Sequence, residues 1–244
     1  MNGEMGLREH NRQRTYWAIS NAAIRLFLEK GYDAVPVAEV AAAAGISKPT
    51  LFRYFPAKED LVLHRFADHE REAADVVAGR PAGRSPLDAL RLHFLDGLQQ
   101  RDPVTGLSDA AEVLAFHRLL YGTPALVARL WAYSGRTEDA LTEALAEAAG
   151  EAVPEEGAGV PGALLGARLA AGQIVAVQRI LAMDNWRRIA AGESADQVYP
   201  GAVTAAEGGF AQLREGIGGL PAPSSAPSPA PSPSQAAGRA VDQE

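Results

Sequence analysis

The chain has 244 residues, 47% of them hydrophobic and 22% charged, which is enough apolar material for an ordinary buried core. It contains no cysteine, which excludes disulfide scaffolds, thiolate metal sites and cysteine nucleophiles, and its five histidines leave little material for a metal cage. A formal charge of −7 argues against a protein that coats nucleic acid along its whole length.

In chain order, residues 1–10 carry charges and no apolar core, so a flexible N-terminus is expected there and not a signal peptide. A helix is predicted from about Asn11 to Lys30, with Trp17, Ile19, Ala23, Leu26 and Phe27 on its inner face and Gly31 as its stop. A short helix over 37–44 ends at Gly45, and a third over 47–55 has Ser47 as N-cap. A fourth starts near Pro56, where a first-turn proline is tolerated, and continues to about Val77. Beyond the Gly/Pro break at 79–86, helices are expected over 87–100, 108–121, 124–149, 162–191 and 196–215, with a loop at 150–162. No strand-like alternation persists, so the fold class is an all-α bundle with antiparallel neighbours. Residues 220–235 are rich in Pro, Ser and Ala and carry no charge, which predicts a disordered tail over 217–244. No run reaches the roughly 18 uninterrupted apolar residues of a membrane helix, so a cytoplasmic chain without a membrane partner is expected.

Charge is unevenly spread. Residues 8–58 hold eight basic and four acidic residues, a basic block on an otherwise acidic chain, which is the pattern of a small polyanion-binding head or of chance clustering. Within the block, EVAAAAGISKPTLFRY (residues 39–54) has the spacing of a helix-turn-helix. Val40, Ala41 and Ala44 form an inner face, Gly45 permits the sharp turn, and Ile46 and Leu51 plug the angle. An ordinary tight helical hairpin satisfies the same pattern. Electrostatics favours the DNA reading, because Lys48 and Lys58 both sit at expected helix starts, where a cation is unfavourable by roughly 0.3–1 kcal/mol unless an anion binds there.

The run GYDAVPVAEVAAAAGISKPTLFRYFPAKEDLV, with AAIRLFLEKGY overlapping its start, resembles the N-terminal DNA-binding region of TetR-family transcriptional regulators. The resemblance covers residues 12–63; the remainder is similar in kind, as an α-helical regulatory region. It implies a three-helix DNA-binding head over 11–58 and a ligand-binding and dimerisation bundle over 59–216. The implied partners are a second copy of the chain, a pseudo-palindromic double-stranded DNA operator and a small-molecule effector. It further implies base or nearby phosphate contacts from Ser47, Lys48, Pro49, Thr50 and Arg53, and phosphate contacts from Arg14, Thr15, Tyr54 and Lys58. Chemically, Lys48 and Arg53 suit guanine O6/N7 and the Thr50 methyl suits thymine. Three positions depart from the family pattern: Val35-Pro36-Val37 lacks the hydroxyls common before the second helix, Phe52 stands where tyrosine is usual, and Ala57 replaces a serine cap.

The 162–191 segment is apolar on more than one side, which means burial within one subunit or in a dimer; the resemblance favours the dimer. Polar and aromatic residues on the middle helices are pocket candidates: His93, Phe94, His117, Tyr121, Trp131 and Gln173, with Tyr133, Arg179 and Trp186 beside them. No cofactor, metal or catalytic group is expected. The chain has no Gly-rich phosphate loop, no G-x-S-x-G elbow and no H-E-x-x-H. A helical adaptor that does not bind specific DNA is the remaining alternative.

Overall fold

A computed structural model describes residues 2–150 and 162–216. Most of the loop expected at 150–162, and the Pro/Ser/Ala-rich tail at 217–244, lie outside the described residues. Among those residues the secondary structure is helical: α1 (Asn2–Lys30), α2 (Val37–Ala43), α3 (Lys48–Tyr54), α4 (Asp60–Leu63), α5 (Glu72–Ala78), α6 (Pro86–Gln100), α7 (Ala111–Gly122), α8 (Pro124–Ala148), α9 (Gly162–Ala190) and α10 (Ala195–Glu215), with short 3-10 segments at His64–His69 and Pro103–Thr105.

Local chemistry sets most boundaries. The Ser47 hydroxyl accepts from the Thr50 N–H at the start of α3, and Ser85 does the same for Asp88 at the start of α6. Ser194 and Gln197 form a reciprocal capping box at the start of α10. Gly45, at φ 68°, makes the turn between α2 and α3.

Two expectations are corrected. The first helix begins at Asn2, not near Asn11, so residues 2–10 are helical where a flexible arm was expected. No proline interrupts them, and Glu4, Met5, Leu7, Arg8 and Glu9 are good helix formers. The single fourth helix expected over 56–77 is three pieces: α4, the 3-10 segment His64–His69, and α5. All four residues of α4 are buried, and the His64 ring stacks on Tyr16 of α1 at 5.0 Å. Packing against α1 therefore overrides continuous α periodicity at this point. A 3-10 stretch between two helices is a common place for a hinge.

Two hydrophobic cores result. The first joins Ile19, Phe27, Val40, Leu51, Phe55 and Leu61–Leu63 to Phe116, Leu120 and Leu126 of α7 and α8. The core under the head thus continues into α4, α7 and α8. The second core gathers Leu90, Leu98, Leu141, Ile174, Val198 and Phe210 from α6, α8, α9 and α10. Head and body are also tied by polar bonds. The Ser20 hydroxyl donates to the Leu61 carbonyl at 2.7 Å, and Arg129 of α8 donates twice to the nearly buried Asp60 carboxylate, at 2.8 and 3.1 Å.

Gly106 follows the second 3-10 segment at φ 72°, and a Cβ there would lie 1.9 Å from the Ala182 carbonyl oxygen, so only glycine lets this turn dock on α9. Beside it, buried Asn185 donates to the Thr105 carbonyl at 2.9 Å. By length and composition α9 is apolar enough to cross a membrane. Instead it packs on α8 and α10 with Ala171, Ile174, Val175 and Ile189 inward. Leu165, Leu169 and Ile180 remain more than half exposed along its outer side.

Candidate nucleic-acid interface and body cavities

The third helix is pinned from beneath. Leu51 and Phe55, four residues apart, are buried in the head core, so the opposite face presents Lys48, Pro49, Phe52 and Arg53 to solvent. The Lys48 ammonium lies 5.9 Å from the Phe52 ring centre, which leaves Phe52 as an exposed apolar platform under a cation. Thr50 and Tyr54 flank this face and are half-buried. The Thr50 hydroxyl pairs with that of Ser47 at 2.8 Å, so both hydroxyls serve the cap and the Thr50 methyl is the part left for an apolar contact. Tyr54 meets Tyr16 edge-on at 4.9 Å. Arg14 is exposed and Thr15 half-buried on α1, on the turn before Tyr16 and Trp17.

Lys58 does not stand as expected. It lies in the turn before α4, not in a helical first turn, and its Nζ donates to the Tyr32 carbonyl at 2.6 Å. The same ammonium sits 4.3 Å from the Tyr32 ring centre and 5.2 Å from that of Phe27, and partial burial draws its pKa below the ordinary lysine value. The Tyr32 hydroxyl donates to Glu59 at 2.8 Å, so residues 32, 58 and 59 form a clip that closes the end of α1 on the turn before α4. The cap missing at Ala57 is supplied from downstream, because the Ala57 N–H donates to Asp60 Oδ2 at 3.1 Å. At α2, Pro36 takes the cap position without any side-chain bond.

In the body, a cavity of about 220 Å³ lies between the 3-10 segment His64–His69 (the linker), α5, α6, α8 and α9. His93, Phe94 and Tyr121 line it, together with Tyr133 and Arg179. Trp131 and Gln173 do not. Trp131 is 56% exposed on the outer side of α8, where Arg179 lies over its ring, and Gln173 faces solvent on α9. Both fall one helical position away from the inward face, which a count of residues alone does not resolve. His117 is buried and lines a neighbouring cavity of about 240 Å³, and Trp186 packs on Tyr121 at 4.6 Å without reaching either cavity wall.

Sequence reasoning missed Phe66 and Glu72, which also line the first cavity. Glu72 accepts from His69 Nδ1 at 2.5 Å and His93 Nε2 at 2.8 Å, and these bonds hold its carboxyl down at about 2. Reciprocally, Glu72 raises the His93 pKa. The three-residue spacing of His69 and Glu72 was the available signal for their pairing; His93 comes from another helix and had none.

A short helix held by a capped turn, with lysine and arginine on its free face, defines the helix-turn-helix class of DNA-binding heads. Residues 19–64 match the family model "Bacterial regulatory proteins, tetR family". This stretch of the chain is therefore similar to the DNA-binding region of TetR-family regulators. It is 32% identical over 142 residues to the HTH-type transcriptional regulator TcmR of Streptomyces glaucescens, a match covering 58% of this chain and 63% of that protein. It is 34% identical over 104 residues to the HTH-type transcriptional repressor KstR of Rhodococcus jostii, covering 42% and 49%. The matches therefore span between about half and two thirds of the length of these relatives. Among solved structures, NalD of Pseudomonas aeruginosa, described as the secondary repressor of the MexAB-OprM multidrug efflux pump, superposes with a TM-score of 0.50 at 21% identity, over 81% of this chain and 97% of that one, a likeness of fold.

Proposed function

We propose that the chain is a cytoplasmic, sequence-specific DNA-binding repressor that acts as a homodimer and leaves its operator when a small molecule occupies the body. The observation that carries this reading is the free face of α3, with Lys48, Pro49, Phe52 and Arg53 exposed over a rigid apolar footing. In a major groove Arg53 and Lys48 supply donors for guanine edges and for phosphates, while Phe52 and the Thr50 methyl offer apolar contact to thymine. Arg14, Thr15 and Tyr54 are assigned to the flanking phosphates. Lys58 is reassigned from phosphate contact to holding the clip at Tyr32.

The dimer reading is supported by the exposed stripe Leu165, Leu169 and Ile180 on α9, with Gly172 and Ala176 between them, small enough for another helix to approach closely. Twofold pairing would place two copies of α3 in successive major grooves about 34–36 Å apart, which calls for a pseudo-palindromic operator. Release would be a population shift through the linker at His64–His69, which is in contact with both the head and the cavities. A change from mostly bound to mostly free requires about 5.5 kcal/mol of differential affinity.

The test is a protection assay on the intergenic DNA beside the gene. A discrete protected site of dyad symmetry is expected, with affinity falling by roughly 10³-fold or more between 50 and 200 mM salt. Protein that is folded but protects no site even at low salt overturns the reading and leaves the helical adaptor in its place.

A further inference from the structure

The second cavity lies at the seam between head and body. Trp17 of α1 forms one wall, Val113, Phe116 and His117 of α7 another, and Arg65 and His69 of the linker a third. Its partition from the first cavity consists of Phe66, His69, Asp102 and Val104, which line both. At about 220 and 240 Å³, each alone falls below the roughly 300 Å³ at which small-molecule sites begin, whereas the pair lies within that range.

His117 gives the seam its chemistry. The residue is 5% exposed, and its Nδ1 is buried without a hydrogen-bond partner among the described residues. Burial pushes its pKa down to about 4, so at neutral pH the ring carries one donor and one acceptor nitrogen. Buried polar atoms in native proteins are normally satisfied, and one that is not calls for a missing partner. Charged groups lining the two cavities are already engaged: Glu72 by His69 and His93, Glu70 by Arg136 at 2.7 Å, Asp102 by the Val104 N–H at 2.9 Å, Arg65 by the Asn21 side chain at 3.1 Å, and Arg179 by the Trp131 ring. An entering ligand therefore finds mainly apolar walls and one neutral imidazole, with the remaining charged lining side chains already engaged by protein groups or, for Glu112, exposed to solvent.

We propose that the two cavities are halves of one ligand site, and that its occupant is an elongated, uncharged molecule whose hydrogen-bonding end reaches His117 and lies against Trp17 of the head. The proposal deepens the effector part of the functional reading and rests on it. It also supplies a route to DNA. Trp17 contacts His64 at 5.4 Å, His64 stacks on Tyr16 at 5.0 Å, and Tyr16 meets Tyr54 at 4.9 Å, at the end of α3. A ligand pressing on Trp17 acts on the recognition helix through three ring contacts.

The experiment uses the full chain and fluorine NMR with two probes: 4-fluorophenol, a single ring, and 4′-fluorobiphenyl-4-ol, a rigid two-ring rod that can extend from one chamber into the other. The rod is expected to bind at least tenfold more tightly than the phenol. Val113→Trp, which fills the seam chamber, and His117→Phe, which removes its hydrogen bonds, are each expected to weaken the rod at least tenfold. His117→Phe is also its own folding control, since replacing an unsatisfied buried imidazole by an apolar ring leaves the melting temperature unchanged or higher. Equal binding of the two probes, no binding of the rod, or rod binding indifferent to both variants overturns the proposal. Protection of operator DNA is scored separately. Protein that binds DNA but not the rod keeps the functional reading and loses this one, and protein that binds the rod but no DNA does the reverse.

Discussion

In the head, Val40 and Leu51 are fully buried, Ile19, Phe27 and Phe55 nearly so, and the buried Ser20 hydroxyl is satisfied by the Leu61 carbonyl. The body, of similar apolar quality, keeps one cavity of its own and shares a second with Trp17 of the head, and it leaves His117 Nδ1 and Trp186 Nε1 buried without partners among the described residues. Voids and unmet polar atoms each cost stability, on the order of 1–3 kcal/mol for a buried polar group. The contrast fits a head that holds one shape for a regular duplex and a body that has room to change shape around a ligand. The linker between them is the least regular element, a 3-10 segment between two short helices, and it lines both cavities.

The sharpest way to break this contrast is to disturb the body where it is not tolerant. Gly106→Ala places a methyl against the Ala182 carbonyl at a positive φ, so a loss of roughly 4 kcal/mol or failure to fold is expected in thermal melts. A shift below about 1 kcal/mol would mean that the α9 seam yields as freely as the cavity walls. The corresponding change in the head, Leu51→Ala, is expected to cost about 2–5 kcal/mol and to abolish operator binding, since α3 loses its footing. Arg53→Ala leaves the melting temperature alone and weakens operator binding by about 1–3 kcal/mol, measured by titration at fixed salt. Lys58→Met divides the head's cations by role. It is expected to cost about 1 kcal/mol of stability through the lost bond to Tyr32, with a smaller effect on DNA than Arg53→Ala. The opposite ranking would return Lys58 to the phosphates.

The same contrast explains what was legible in the sequence. Ser47, Gly45, Leu51 and the apolar spacing of α1 act over three to five residues, so the head's helices were predicted within a residue or two at nearly every boundary apart from the start of α1 and the fourth helix. The helix-turn-helix was readable because its requirements are local. The bond made by Lys58 was not legible because its partner, the Tyr32 carbonyl, lies 26 residues away. The fourth helix was misread because the rings that interrupt it, Tyr16 and Trp17, belong to α1. In the body, residue type found His93, Phe94 and Tyr121, but the inward side of a helix packed on several neighbours has no marker that separates Gln178, which lines the cavity, from Gln173, which does not. Trp131 failed for a related reason: its ring is occupied by Arg179 on the outer surface.

The smallest effect separates the two regions by pH. Glu72 has a folded pKa of about 2, chiefly because His69 and then His93 donate to it, so its contribution is present above the ordinary value of 4.5 and is lost as pH falls toward 2. The His93 pKa is raised above 6.5, chiefly by the bond to Glu72 and further by Asp102 and Asp96, so its contribution is complete below 6.5 and is lost as pH rises through the raised value. The clasp joining α5 to α6 is therefore strongest between about pH 4.5 and 6.5. Both side chains are partly solvated, His93 at 42%, which limits the effect to about 0.2–1 kcal/mol, or a few degrees at most in the melting temperature. Glu72→Gln should flatten the decline between pH 6 and 9. If the decline persists unchanged in that variant, the pH response belongs to another group and the clasp does not hold the linker to the cavity wall.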